Sequence, residues 1–209
     1  MTSRRDVREE ATMTIVQRER RVEHYRLATA LPRLAACAGR TMMLLARRRV
    51  HMPRRRIDTW VRFADGSTSR IYRETVLDRA APHEPCVLIV QFRLRYVRGS
   101  GHRMFRAESL LNTPLFVAFP GFVSKLWLAA DEHGVYRGCY DWDGPEAARE
   151  YVRALWWPLA LVSDTASIKY QVLPGVRRDA VLAGAGHVDV GAGREQDQWW
   201  RPLAAPPHA

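Results

Sequence analysis

The sequence predicts an α+β protein whose body runs β–α–β–β–α–β, and three observations carry that prediction. The run "CVLIVQFRLRYV" (86–97) is β-branched and apolar enough to be a buried strand. The stretch "FPGFVSKLWLAADEHGVYRGCYDW" (119–142) reads Pro-Gly, an apolar run, a polar turn and a second apolar run, which is a ribbon of two strands. After it, "DGPEAAREYVRALWWPLALV" has helical composition with Asp143 as the N-cap and Pro145 in the first turn, and Ser167–Leu173 returns to strand before Pro174-Gly175 stops it.

Taken in chain order, residues 1–26 are polar and highly charged and have little to bury, so disorder or a solvated helix is expected. From there Leu27, Leu31, Leu34, Ala38, Met42 and Leu45 recur at helical spacing, with Arg26, Arg33, Arg40 and Arg47 seven apart on another stripe. Pro32 fits best in a first turn, so the amphipathic helix is placed at about 32–49. In "IDTWVRFADGSTSRIYRETVL" two alternating runs flank Ala-Asp-Gly-Ser, a hairpin signal, and "DRAAPHEP" follows as a linker. The segment "GSGHRMFRAESLLNTPLFVAF" begins as a loop and becomes a helix with Phe105, Ser109, Asn112 and Phe116 near one stripe. Pro120-Gly121 ends it, and Phe122–Ala129 and Val135–Trp142 are the strands of the ribbon. The tail from Gly184 is rich in Gly, Ala and Pro and is expected to be mobile apart from Trp199 and Trp200. The chain thus divides into a basic leader (1–56), a hairpin and linker (57–80), a body (81–178) and a flexible tail (179–209). The body's order is that of the split βαβ, or ferredoxin-like, arrangement.

Bulk composition narrows the function classes. The 209 residues carry a net charge of +11, but residues 1–56 hold 15 Arg against five acidic residues, so the rest is nearly neutral. Arginine outnumbers lysine 31 to 2. The basic helix could dock on an anionic membrane surface or a protein partner, or pack on its own body with its arginines solvated. Nucleic acid is disfavoured, because no aromatic residue between positions 26 and 59 offers a stacking platform. Three widely spaced cysteines (Cys37, Cys86, Cys139) form no disulfide framework and suit a reducing cytoplasm. No apolar run is long enough to span a membrane, and no apolar stretch near Met1 reads as a secretory signal. The location expected is cytoplasmic, with peripheral membrane association as the open alternative. The seven histidines never pair at i, i+3 or i, i+4 and there is no Cys-x-x-Cys, so no metal site is expected. Gly-x-Ser-x-Gly, a phosphate-cradling glycine loop with Lys and a dinucleotide fingerprint are all absent.

The residues "FPGFVSKLWL…GVYRGCYDWDGPEAAREYV" resemble the dimeric α+β barrel superfamily, in particular small monooxygenases related to the antibiotic-biosynthesis monooxygenases. The matching features are Pro120-Gly121-Phe122 leading into one strand and Trp127 late in it. Gly138 and Tyr140 match in the next, with Trp142 and Asp143 leaving it toward an Ala-rich helix that ends near Tyr151. The likeness covers about residues 86–175. It implies a homodimer with two four-stranded sheets face to face, and in each protomer a pocket between the sheet and its two helices.

Some members of that superfamily oxidise aromatic polyketides with no metal and no bound cofactor, because an electron-rich phenolate can itself reduce dioxygen. Such a pocket needs apolar aromatic walls and a few hydrogen-bond donors. The donors near the expected pocket are Asn112, Trp127 and Tyr140, taken as catalytic candidates, with Phe105, Phe116, Gly138, Trp142 and Trp156 as ligand-binding candidates. His102 and Arg106 lie in the loop before the first body helix. Alternation puts Tyr136, Gly138, Tyr140 and Trp142 on one strand face, with Gly138 leaving room for a ligand; Arg137, Cys139 and Asp141 go to the dimer-facing or rim side. The function expected is a monooxygenase-like enzyme acting on a hydrophobic, aromatic or polyketide-like small molecule without metal or bound cofactor. The alternative is a non-catalytic dimeric module that binds a small ligand or a protein, with residues 26–56 reaching a membrane.

Overall fold

A computed structural model describes residues 23–95, 113–184 and 198–203. Among them the chain is α+β, a curled antiparallel sheet with three helices. The first helix, α1, covers Leu27–Ala46, followed by β1 (Val50–His51), β2 (Trp60–Phe63), β3 (Thr68–Leu77) and β4 (Pro85–Leu94). After a short 3-10 turn at Thr113–Leu115 come β5 (Phe122–Leu128), β6 (Val135–Asp143), α2 (Pro145–Val162), β7 (Ser163–Pro174), α3 (Arg178–Leu182) and β8 (Pro202–Leu203). The sheet order is β7-β4-β6-β5-β3-β2-β8, with β1 beside β3. Most of the helix expected before Pro120 lies outside the described residues; residues 113–119 form a 3-10 turn and bends.

The hairpin of β2 and β3 turns where the Asp-Gly signal places it. Gly66 takes φ +85°, and the Asp65 carboxylate accepts from the Ser67 backbone N–H at 3.1 Å and its hydroxyl at 2.6 Å. This hairpin is no appendage, because β3 continues the body sheet by pairing with β5, for example Thr75 opposite Lys125.

Continuous apolar sequence in β4 buries both of its faces. Cys86, Leu88 and Val90 point into a core beneath α1 and α2, while Val87 and Ile89 point into a second core on the opposite face. That second face suggests a partner sheet when read from the sequence. Here the chain covers it with Val61, Phe63 and Ile71 of the hairpin, Val181 of α3, and Trp199 and Trp200, which are both buried. Arg137 and Asp141, expected on a dimer-facing or rim side, are therefore interior. The Arg137 guanidinium bonds Asp131 at 2.7 Å and Asp65 at 2.8 Å, tying two strand turns together over the Phe63 ring. Asp141 accepts from the backbone N–H of Arg178 at 2.8 Å.

Two helix details differ from the sequence reading. In α1 the buried residues are Ala30, Leu34, Cys37 and Thr41, so Leu27, Leu31, Met42, Met43 and Leu45 face outward and Pro32 falls in the second turn. Small side chains let this face approach the body closely, and the Thr41 hydroxyl donates to Pro114 O at 3.3 Å while accepting from Ala118 N–H at 3.1 Å. At the start of α2 the N-cap is Gly144 with no side-chain cap. Asp143 instead accepts from the backbone N–H groups of His83 and Glu84 and from Arg79, which together hold its carboxyl below the usual range. No helix among the described residues is long and apolar enough to cross a membrane.

Candidate functional site

Strand alternation on the helix-facing side of β5 and β6 gathers Lys125 and Trp127 with Tyr136, Gly138 and Tyr140. Val90 and Phe92 of β4 lie alongside, Phe116 closes one side, and Leu155, Pro158, Leu159 and Val162 of α2 form the roof. These residues line a cavity of about 330 Å³, within the range of small-molecule sites. Aromatic rings share the walls with aliphatic side chains: Phe116 meets Trp127 edge to face at 5.4 Å, and Phe92 stacks on Tyr136 at 5.8 Å.

The polar groups here differ sharply in what they can do. The Tyr140 hydroxyl lies 3.3 Å from that of Tyr151, and burial pushes both phenols above the ordinary tyrosine range. Both stay protonated, able to donate a hydrogen bond but not to act as bases. The Trp127 indole N–H is already committed to the Thr75 hydroxyl at 3.2 Å. Lys125 stands apart. It is 6% exposed, its Nζ lies 3.1 Å from the Trp127 ring centre, 4.5 Å from that of Phe116 and 4.7 Å from that of Tyr140, and no carboxylate among the described residues meets it. Arg73, opposite Trp127 across β3 and β5, puts its guanidinium 4.1 Å from the same indole.

Two bases thus share one aromatic ring in an apolar interior. Cation–π attraction gives each about 2 kcal/mol when desolvated, whereas burying an ion costs several. Arginine does not release its proton, so lysine, the weaker base, yields. Burial first, and then the charge of Arg73, pull the Lys125 amine well below the ordinary lysine range.

This has a measurable consequence. The unfolded chain holds a proton on Lys125 up to about pH 10.4 that the folded chain sheds earlier. Wild-type stability therefore rises with pH between the depressed folded value and the ordinary value of 10.5, and below that window the full penalty is present. Lys125→Met should stabilise the protein by on the order of 2 kcal/mol at mildly acidic pH, a fraction of the several kcal/mol a buried ion costs. The gain should shrink toward zero as pH approaches 10. Urea unfolding midpoints of both proteins across that range test this; a difference independent of pH would contradict the neutral amine.

The residues singled out from the sequence fall into three groups. Phe116, Trp127, Gly138 and Tyr140 line the cavity together. Trp142 and Trp156 do not. Trp142 is fully buried in the core, between Phe122 and Tyr151, and Trp156 stacks on His24 at 5.1 Å, outside the cavity. Its neighbour Trp157 donates to Tyr25 O at 2.8 Å, so both indoles meet the segment before α1. His102, Phe105, Arg106 and Asn112 lie outside the described residues. The space at Gly138 also has another use than that expected: a Cβ there would come within 2.8 Å of the Tyr140 ring, so the glycine makes room for that ring to lie over the strand.

Lys125 and Arg73 are absent from the sequence-based candidates. One signal could have found the first: in a chain with 31 arginines and two lysines, a lysine sits inside the apolar run "FVSKLWL". The three thiols are buried, with Cys86 pushed up to about 11 and Cys139 to about 12, chiefly by burial, which makes them poor nucleophiles. No group of three or more His, Cys, Asp or Glu that could hold a metal occurs among the described residues.

The fold and the site together define an α+β protein with an aromatic-lined cavity and an interior amine that has no carboxylate partner among the described residues. No family model, no curated protein and no solved structure matches the chain.

Proposed function

We propose that the protein binds a hydrophobic, aromatic or polyketide-like small molecule in this cavity and turns it over as a monooxygenase-like enzyme without metal or bound cofactor. The observation that carries the reading is a cavity of about 330 Å³, lined by aromatic and aliphatic side chains, that holds a single amine with no carboxylate partner among the described residues. A phenolic ligand seated against Lys125 gives its proton to the amine, and the new ammonium, with the charge of Arg73 nearby, stabilises the phenolate. The phenolate then reduces dioxygen directly and the ring ends as a quinone: one oxygen atom bonds to a ring carbon, and the other leaves as water with the hydrogens that this carbon and the phenol hydroxyl give up. Lys125 adds a base to the hydrogen-bond donors singled out from the sequence, and Tyr140 remains such a donor.

The sheet supports the reading at the level of fold. The order β7-β4-β6-β5, antiparallel throughout, is what a ferredoxin-like β–α–β–β–α–β chain would produce, in line with the likeness to dimeric α+β barrel proteins. The second face of the sheet is filled by the chain's own residues.

Calorimetric titration of the full chain with 2-naphthol should show one site per chain. The bound ligand should take on the naphtholate absorption at pH 7, and Lys125→Met should lose that spectral change. Absence of 2-naphthol binding to the wild-type protein would sink the proposal.

A further inference from the structure

We propose that Lys125 is a nucleophile as well as a base, and that ligands bearing an aldehyde or ketone are held in the cavity as an imine on its Nζ. The inference rests on the cavity's being a ligand site, as proposed above, and narrows the chemistry of what that site retains.

Four features of the geometry support it. The amine projects into a space of about 330 Å³, large enough for a bicyclic aromatic carbonyl compound. Among the described residues it makes no hydrogen bond and no ion pair, so its lone pair is not spent on an internal partner. The titratable and charged side chains around the cavity are Tyr72 and Arg73 from β3, Tyr136, Arg137 and Tyr140 from β6 and Tyr151 from α2; no carboxylate among the described residues lines it to hold the amine as an ammonium. An apolar wall also disfavours the water that would hydrolyse an imine. Desolvation together with a neighbouring cation is the combination that activates lysine amines toward carbonyl carbon.

The step balances without an outside oxidant or reductant. The nitrogen lone pair attacks the carbonyl carbon, one nitrogen proton passes to the oxygen, and a carbinolamine forms. Loss of the second nitrogen proton and the hydroxyl as water gives the neutral imine. The Tyr140 phenol, kept protonated by burial, can donate a hydrogen bond to the departing oxygen.

The chain supplies its own control, because its only other lysine, Lys169, is exposed on β7. Full-length protein is incubated with 2-naphthaldehyde and sodium cyanoborohydride at pH 7, and the naphthylmethyl adducts are mapped by peptide mass. An ordinary exposed lysine is neutral in roughly one molecule in a few thousand at this pH. Lys125 should therefore be trapped at least tenfold faster than Lys169. Between pH 6 and 9 the Lys125 rate should climb less steeply than the tenfold per pH unit of an ordinary lysine amine. Excess 2-naphthol should protect Lys125 and leave Lys169 unchanged. Comparing the two lysines within one protein needs no variant to fold.

If calorimetry shows 2-naphthaldehyde entering the cavity while Lys125 is trapped no faster than Lys169, the imine is overturned and the binding proposal stands. If neither 2-naphthol nor 2-naphthaldehyde binds, both fall together.

Discussion

Arg178→Met should cost about 3–5 kcal/mol of folding stability, the range for removing one partner of a buried ion pair. Arg178 is 4% exposed, beneath the second face of the sheet. Its guanidinium donates to Glu74 at 2.7 Å, to the Ser124 hydroxyl at 2.9 Å and to Asp179 at 3.2 Å. Glu74 is itself buried, and Arg178 is its partner, so a methionine would leave a carboxylate in an apolar layer with nothing to answer it. Asp141 would fare better, because it keeps the Arg178 backbone N–H at 2.8 Å. The pairing logic has its own control. Glu74→Leu in the same protein should recover most of the loss, since replacing both members of a buried pair with apolar groups is close to neutral. Urea unfolding of the wild type, the single variant and the double variant decides it. A single variant within 1 kcal/mol of wild type would mean that Glu74 reaches water, contrary to its burial.

Gly121→Ala should destabilise by about 2–5 kcal/mol, from two additive sources. Gly121 holds φ +83° where the chain turns into β5, and a left-handed conformation costs a residue with a Cβ about 1–2 kcal/mol. The new Cβ would also stand 2.6 Å from the Asp143 carbonyl oxygen and 2.8 Å from the Ala147 Cβ. Neither can swing aside like the end of a long side chain. The Asp143 peptide is fixed by its own N–H donating back to Gly121 O at 2.7 Å, and Ala147 sits in the first turns of α2. Overpacking of that kind adds roughly 1–3 kcal/mol. For a chain of this length the sum lowers the melting temperature by roughly 4–20 °C. Gly66→Ala separates the two sources. Gly66 has φ +85° with no atom within 4 Å of a Cβ, so that variant should show only the conformational part. Equal melting temperatures for the two variants would mean that the contact at Asp143 relaxes freely.

Several features of the fold are legible because they are local. Asp65-Gly66 between alternating runs sets a hairpin whatever lies around it, since φ at the turn is chosen within a few residues. The alternation of Tyr136, Gly138, Tyr140 and Trp142 against Arg137, Cys139 and Asp141 follows from strand geometry, and the two cores divide along it. The cavity's aromatic walls could likewise be anticipated at Phe116, Trp127 and Tyr140, because each lies on a face that alternation or spacing assigns.

What escaped the sequence depends on partners distant along the chain. Leu27, Leu31, Leu34, Met42 and Leu45 recur at helical spacing, yet of these α1 turns only Leu34 inward, with Ala30, Cys37 and Thr41, because the surface it meets admits small side chains and offers Pro114 O and Ala118 N–H to a threonine. Asp143 has the composition of a helix cap, but the backbone N–H groups of residues 83 and 84 claim it first. The sequence by itself determined β2 to β7, where they turn, and that β4 needs cover on both faces, but not the short strands β1 and β8. Only the tertiary structure decided that the cover comes from residues 61–71, 181 and 199–200 of the same chain, and that Lys125 lies among rings with Arg73 for company and no carboxylate. Periodicity reports which face of a segment is apolar; the charge state of an interior amine depends on every group that folding brings against it, and those come from strands and helices far apart in the chain.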